Sequence, residues 1–562
     1  MASPSGFNQP RHTNDGTPAA ARLHALGWWL PERLLPVNDP ALLRMVMADL
    51  TVAVIVVLTY QGLAVAQGGH GSHEPGGDGQ PVAGYLPATS LADLGDRTFI
   101  RDHRIQYPCV SGAMANGIAS VEIVEAMSRA GMLGFFGSAG LSLDRIDEAI
   151  SRLQRSLGSQ PHGFNLIHSP NESDHEFATA DLYIRRGVRL IEASAYLRLT
   201  PAVVRFRLHG IHEDEQGRVV TPNRVIAKVS RIEVATRFFS PAPEKIVQEL
   251  VQAGHLTAAQ AELAKRVPVA QDITAEADSG GHTDNRPAIT LLPTLLAARD
   301  RLQREFGYPE PLRVGLGGGI ATPQGVAAAF AMGAAYVVTG SINQACVESG
   351  SSDIVRGMLA EAEQADVAMA PAADMFEMGV KVQVLKRGTM FAMRANKLYE
   401  LYRAYPSLEA LPDSERQSLE KNLLRASIEQ IWAETSDFFR KRDPRQLVRA
   451  AAEPKHRMAL VFRWYLGMAS RWANAGIADR KVDYQVWCGP AMGAFNEWVK
   501  GTAFEKVENR KVASVNYSLL HGAAILNRQM LLRQQGIDMP VEAFDLAPVE
   551  PGYVTRAQRE SG

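Results

Sequence analysis

From about residue 100 the chain alternates short, apolar, β-rich runs with longer stretches of helical periodicity, divided by polar or glycine-bearing turns. The runs Tyr107–Val110, Leu133–Phe136, Gly163–Ile167, Leu190–Ala193, Val225–Val229, Val269–Thr274, Leu312–Leu316 and Tyr336–Thr339 predict strands. Val121–Ala130, Asp144–Leu157, Pro243–Ala253 and Leu292–Phe306 predict helices between them. Roughly eight β–α repeats fit an α/β fold of the TIM (β/α)8 barrel type. A doubly wound open sheet is the structural alternative. It more naturally places its phosphate turn after the first strand, whereas the glycine turns here come late, which favours the barrel.

Past about residue 360 the alternation stops and long helical patterns with aromatic anchors take over: Leu398–Tyr405, Ser414–Thr435, Leu447–Ala452, Met458–Ala475 and Val515–Gln535. They predict a large helical C-terminal appendage in which Trp464, Trp472, Trp487 and Trp498 serve packing. Before the alternation, residues 1–20 are polar and are expected to be disordered. Val52–Leu58 and Leu63–Ala66 carry strand signals within a small N-terminal α/β cap, and the glycine-rich residues 67–84 are expected to form a flexible loop. His70, His73 and Glu74 there read as solvated loop side chains rather than metal ligands. The expected division is 1–20, 21–100 (cap and loop), 101–360 (barrel) and 361–562 (helical region).

Composition narrows the class without naming a function. A net charge of −1 over 562 residues provides no strong field for nucleic acid or membrane. Cys109, Cys346 and Cys488 lack a zinc or redox spacing and read as buried thiols in a reducing compartment, so no metal is expected. The apolar run from Leu50 to Leu58 is too short to span a membrane, and the first residues lack the pattern of a secretory signal. The expected location is the cytoplasm.

The chemistry concentrates at predicted strand ends, where barrels place their reacting groups. Gly317-Gly318-Gly319 follows one run and Gly340-Ser341 the next, each opening a helix-like stretch. Such turns bring backbone N–H groups and a positive dipole end close to a ligand, and point to a phosphorylated cofactor. Ser111–Gly117 is a small-residue turn that would let a flat ring lie against backbone. Asn165 is an amide in an apolar run and has to be hydrogen-bonded, to a cofactor or within a structural network. Lys228, inside a buried run, needs an anion, from a cofactor or from a barrel carboxylate. Gly280-Gly281-His282 sets two glycines before an imidazole at a strand end, where it could act as an acid or polarise a carbonyl.

At these residues the chain resembles the FMN-dependent TIM barrels of the nitronate monooxygenase and FabK-type enoyl reductase superfamily, over roughly residues 105–345. A more extensive resemblance, to the PfaD-type trans-acting enoyl reductases of polyunsaturated fatty acid and polyketide synthases, covers nearly all of the chain after residue 85. It rests on Gly112–Ser120, Glu192–Ala195, Glu276–Pro287, Gly333–Glu348, Pro371–Glu377, Phe462–Gly467 and Asp483–Gly493. The resemblance implies noncovalent FMN, reduction by NAD(P)H, and an enoyl thioester on an acyl carrier protein or carrier domain. It implies that Gly280, Gly281, Gly318, Gly319, Gly340 and Ser341 hold the phosphate, that Met114, Asn165 and Lys228 line the isoalloxazine, and that His282 is the active-site histidine. It leaves a homodimer open.

Carrier proteins are usually acidic, and two basic clusters offer themselves for docking: Lys386, Arg387, Arg394 and Lys397, and Arg440, Lys441, Arg442 and Arg445. A solvated helix face is the plainer reading of each. A nitronate monooxygenase-like flavin oxidase, or a non-catalytic flavin-barrel scaffold of a synthase complex, are the alternatives in function.

Overall fold

A computed structural model describes residues 27–32, 35–170 and 172–549; the expected disordered segment 1–20 lies outside them. Eight parallel strands close into a barrel: β1 (Cys109–Ser111), β2 (Leu133–Phe136), β3 (Gly163–Ile167), β4 (Leu190–Ser194), β5 (Arg224–Val229), β6 (Asp272–Glu276), β7 (Arg313–Gly317) and β8 (Val337–Thr339). Each strand pairs with the next in the chain, and β8 pairs with β1 to complete the ring. The chain is thus a TIM barrel, with its helices outside the strands. Ser120, Ser142 and Thr322 cap three of those helices by accepting backbone N–H groups three residues on.

The interior is filled by Val110, Leu133, Phe135, Ile226, Tyr336 and Val338. Two strand glycines make room for its rings. A Cβ on Gly163 would lie 2.3 Å from Phe135, and one on Gly315 would lie 2.4 Å from Tyr336. At the N-terminal end of the strands, Asp272 accepts from Arg313 Nε (2.6 Å) and meets His103 Nε2 (2.8 Å), while Arg313 Nη1 reaches Asp102 (2.8 Å). Phe99 stacks on Tyr336 beside them, with centroids 4.1 Å apart.

The sixth strand begins later than the expected Val269. The N–H groups of Val269 and Ala270 bond Ser240 and Phe238 carbonyls instead of a strand partner, and the ladder starts at Asp272 opposite Arg313. Two further corrections concern the C-terminal region. It is mainly helical, with long helices at Phe391–Ala404, Ile428–Arg442, Pro454–Ala475 and Val512–Gln534. Yet β9 (Val367–Pro371) and β10 (Lys381–Leu385) form an antiparallel hairpin, and β10 also pairs with the short strand Gly281–His282. The expected helix Ser414–Thr435 is broken: Arg425 takes φ 56°, and Ser427 with Gln430 forms a capping box that starts Ile428–Arg442 afresh.

Chain contacts divide the protein into two compact units. One takes the described residues up to Ser90 with Ala524–Leu546, and the other takes Leu91–Ala523 with the described residues from Ala547. In the first, Trp28–Leu30, Val54–Thr59, Gly62–Ala66, His70–Ser72 and Gln80–Leu86 form a five-stranded antiparallel sheet with the helix Pro40–Ala48. Arg528 of the same unit donates to the carbonyls of Met47, Asp49, Leu50 and Val52. The glycine-rich stretch is therefore not one loop: it supplies a strand and the start of another. Gly69, with φ 75°, is packed so closely that a Cβ would sit 2.4 Å from the Trp29 indole nitrogen. His70 meets Glu32 at 2.8 Å. Among the described residues no helix is long and apolar enough to cross a membrane, and no cluster of metal-ligating side chains occurs.

Candidate functional site

A cavity of about 620 Å3 opens at the C-terminal ends of the barrel strands, with walls completed by Phe438, Trp464, Leu466 and Trp487 from the helical region. All ten residues singled out from the sequence line it: Met114, Asn165, Lys228, Gly280, Gly281, His282, Gly318, Gly319, Gly340 and Ser341. They arrive from the ends of β1, β3, β5, β6, β7 and β8, so closing the barrel is what brings them together.

The glycines are not equivalent. A Cβ on Gly319 or Gly340 would meet nothing within 4 Å, so at these two positions bare backbone faces open space. Gly318, with φ 84°, is instead wedged against the Ala277 and Asp278 carbonyls, and a Cβ on Gly280 would lie 2.9 Å from the Cys488 nitrogen. Those two let one loop pass another. Ser341 Oγ accepts the Gly489 N–H (3.1 Å), which joins the segment after Trp487 to the β8 turn.

Charge lies on the cavity floor. Lys228 Nζ sits 3.6 Å from Glu192 Oε2 and 3.6 Å from Glu276 Oε1. The carboxylate reading of its partner is thus present in the fold, and the ammonium still borders the cavity. Glu192 is fully buried; its Oε2 accepts the Ala113 N–H (2.8 Å) and its Oε1 has no hydrogen-bond partner. Burial pushes the Glu192 carboxyl above its ordinary value, against the pull of Lys228. Burial also works against the charged lysine, but Glu192 and Glu276 outweigh it and hold the ammonium protonated. Asn165 donates to the Glu192 carbonyl (3.0 Å) and to Ser194 Oγ (2.9 Å), so its amide nitrogen serves a structural network.

His282 is about one third exposed, and its Nε2 lies 3.1 Å from Asp374 Oδ1. Burial opposes the imidazolium, but Asp374 outweighs it and raises the histidine above its usual value. Burial likewise works to raise Asp374, and His282 nonetheless holds that carboxyl low. Among the described residues no partner hydrogen-bonds His282 Nδ1, which leaves that nitrogen for a ligand.

Sequence reasoning missed Asp374, the second carboxylate at Lys228, and Trp487 as a cavity wall. The first lies in the Pro371–Glu377 string and Glu192 and Glu276 each open a noted string, so the residues were in view and only their partners were not. Most members of the two basic clusters are paired, and among the described residues Lys386 and Lys441 alone of them lack an ion-pair partner. Arg387 pairs with Asp366 and Glu363, Arg394 with Asp483 and Lys397 with Glu415. Arg440 pairs with Asp437, Arg442 with Glu172 and Arg445 with Asp443 and Asp174.

Comparison with known proteins places this geometry. Residues 97–400 match the nitronate monooxygenase family, and residues 405–484 match the inserted helical domain of acyl-carrier-protein S-malonyltransferase. The chain is 50% identical over 461 residues to a polyunsaturated fatty acid synthase polypeptide of Thraustochytrium sp., an alignment covering 81% of this chain and 31% of that one. It is 44% identical over 453 residues to polyketide biosynthesis protein PksE of Bacillus subtilis, covering 80% of this chain and 58% of that one. The chain thus spans less than a third of the first relative and under two thirds of the second. Among solved structures, the enoyl reductase domain of MlnA, from the macrolactin biosynthesis cluster of Bacillus amyloliquefaciens, superposes with a TM-score of 0.75 at 39% identity. That match covers 79% of this chain and 99% of the other.

Proposed function

The chain belongs to the nitronate monooxygenase family, in the branch that holds the MlnA enoyl reductase domain, and from that premise we propose that it is an FMN-dependent enoyl reductase. In this reading it uses NAD(P)H to reduce trans-2-enoyl thioesters on an acyl carrier protein, acting in trans in cytoplasmic polyketide or polyunsaturated fatty acid biosynthesis. One observation carries it: a single cavity at the catalytic end of a TIM barrel gathers open glycine backbone, a charged lysine and a histidine–carboxylate pair.

The residues present fit a flavin mononucleotide. Gly319 and Gly340 leave unfilled space against backbone, as a phosphate requires, with the Ser341 hydroxyl beside them. Gly280, Gly281 and Gly318 shape the same loops. Met114 and Asn165 would border the ring, and the Lys228 ammonium would face its electron-rich edge. Bound there, FMN supplies two-electron hydride chemistry.

The side chains do the rest. A thioester oxygen that gains negative charge needs a hydrogen-bond donor, and the α-carbon needs a proton. His282 can supply either from Nδ1, because Asp374 engages Nε2 and keeps the ring protonated to higher pH than an isolated histidine. Glu192, through the Ala113 N–H, fixes the turn that carries Met114.

The test is spectroscopic. Purified protein reconstituted with FMN should be bleached anaerobically by NADH or NADPH and recover its colour on adding a carrier-bound crotonyl group. Failure to retain flavin, or recovery with alkyl nitronate and oxygen but not with the enoyl thioester, would reject enoyl reduction.

A further inference from the structure

The helix Pro454–Ala475 sends Arg463, Trp464, Gly467, Ser470 and Arg471 to the cavity wall, a spacing that defines one helix face. From Arg463 to Arg471 that face rises about 12 Å. At the first end Arg463 Nη1 lies 3.4 Å from Glu377, and its charge helps hold down the Asp374 carboxyl beside His282. Near the other end Ser470 Oγ accepts from the Asn116 amide (3.1 Å). The stripe therefore runs from the Asp374–Glu377 segment to the turn after β1, and of its residues Arg471 is the exposed one.

At the rim two guanidinium groups flank one ring. Arg442 lies 5.9 Å and Arg471 5.8 Å from the Phe438 centroid. They differ in charge balance. Glu172 grips Arg442 through two hydrogen bonds of 2.8 Å each, which spends its charge. Arg471 is exposed, and among the described residues no carboxylate lies within ion-pairing distance of it. It has no ion-pair partner of its own, and it lines the cavity beside the Phe438 ring, while Glu434 in the same wall accepts from the Trp464 indole (3.1 Å).

We propose that Arg471 binds the phosphate of the pantetheine-type arm that delivers the acyl thioester. This rests on the enoyl reductase reading and deepens it. With the thioester at His282, the arm lies along this helix face and its phosphate meets the exposed Arg471, where a guanidinium offers charge-assisted, paired hydrogen bonds. A nicotinamide dinucleotide also carries phosphate, so the test has to separate the two sources.

The probes are crotonyl-4′-phosphopantetheine and crotonyl-pantetheine, which share acyl group and arm and differ only in the phosphate. Each is assayed with the FMN-loaded wild type, Arg471→Ala and Arg471→Lys, and the KM for NADH and NADPH is measured alongside. The wild type should prefer the phosphorylated arm by about tenfold in kcat/KM, carried by KM, as one charge-assisted contact provides. Arg471→Ala should bring that ratio close to one, and Arg471→Lys should keep part of it. A ratio unchanged in Arg471→Ala, an equal fall with both arms, or a rise confined to the nicotinamide KM would overturn the assignment. No reduction of either arm by the wild type would count against enoyl reduction itself, and the inference would fall with it.

Discussion

Strand β6 carries a carboxylate at each end, and the two live under opposite conditions. Asp272, at its start, is buried, and both its oxygens are taken by Arg313 and His103. Burial works to raise its pKa, yet the Arg313 guanidinium and the hydrogen bond with His103 hold the carboxyl well below the ordinary range. Glu276, at the finish, faces the cavity and shares Lys228 with Glu192, whose Oε1 has no partner at all. One cluster is closed and satisfied; the other holds polar capacity in reserve beside open space. Satisfied buried charge fixes structure, whereas unsatisfied charge beside a cavity marks where a ligand acts.

Removing a member of each cluster should break the molecule in different ways. Asp272→Ala leaves His103 buried without its carboxylate and Arg313 with Asp102 alone, and should cost about 3–5 kcal/mol in denaturant unfolding. A loss under about 1 kcal/mol would contradict the structural role of that end. The wild-type contribution is present above the unfolded carboxyl value, near 3.8, and disappears as pH falls through the lowered folded one. At the cavity end, His282→Ala should leave flavin content near wild type and slow enoyl reduction by about 100-fold. Wild-type turnover would remove the imidazole from the chemistry. Gly340→Leu puts a side chain into open space at φ −137° and ψ −81°, a combination outside the regions open to residues with a Cβ, so flavin affinity should drop by about tenfold or more together with some loss of stability in denaturant unfolding. Undiminished flavin binding in that variant would move the phosphate elsewhere.

Asp374→Asn is the subtlest probe. It removes the charge that raises His282, so the alkaline fall in rate should move to lower pH while the maximum rate changes less. The raised histidine also stabilises the fold below its unfolded value, near 6.5, and that contribution is lost as pH climbs through the folded one. A pH profile identical to wild type would uncouple the pair.

Much of this architecture was legible in the chain. All eight barrel runs became strands, two of them with the expected bounds, because apolar content and turn residues act over a few positions. The β9–β10 hairpin was not legible. Its strands lie in a stretch of helical neighbours, and β10 is completed by pairing with Gly281–His282, about a hundred residues earlier. Trp487 and Trp464 read as packing residues, yet both also form cavity wall, since an aromatic ring satisfies either role with the same composition.

The sequence alone determined the number of β–α units, the glycine turns after β7 and β8, and the histidine after β6, because periodicity and backbone freedom are properties of neighbouring residues. Tertiary structure alone decided that Gly319 and Gly340 face open space while Gly280 and Gly318 are wedged between loops. It also decided that Lys228 lies between Glu192 and Glu276, and that His282 meets Asp374. These are distances between groups far apart along the chain, and only closure of the barrel and packing of the later segments against its rim bring them within reach.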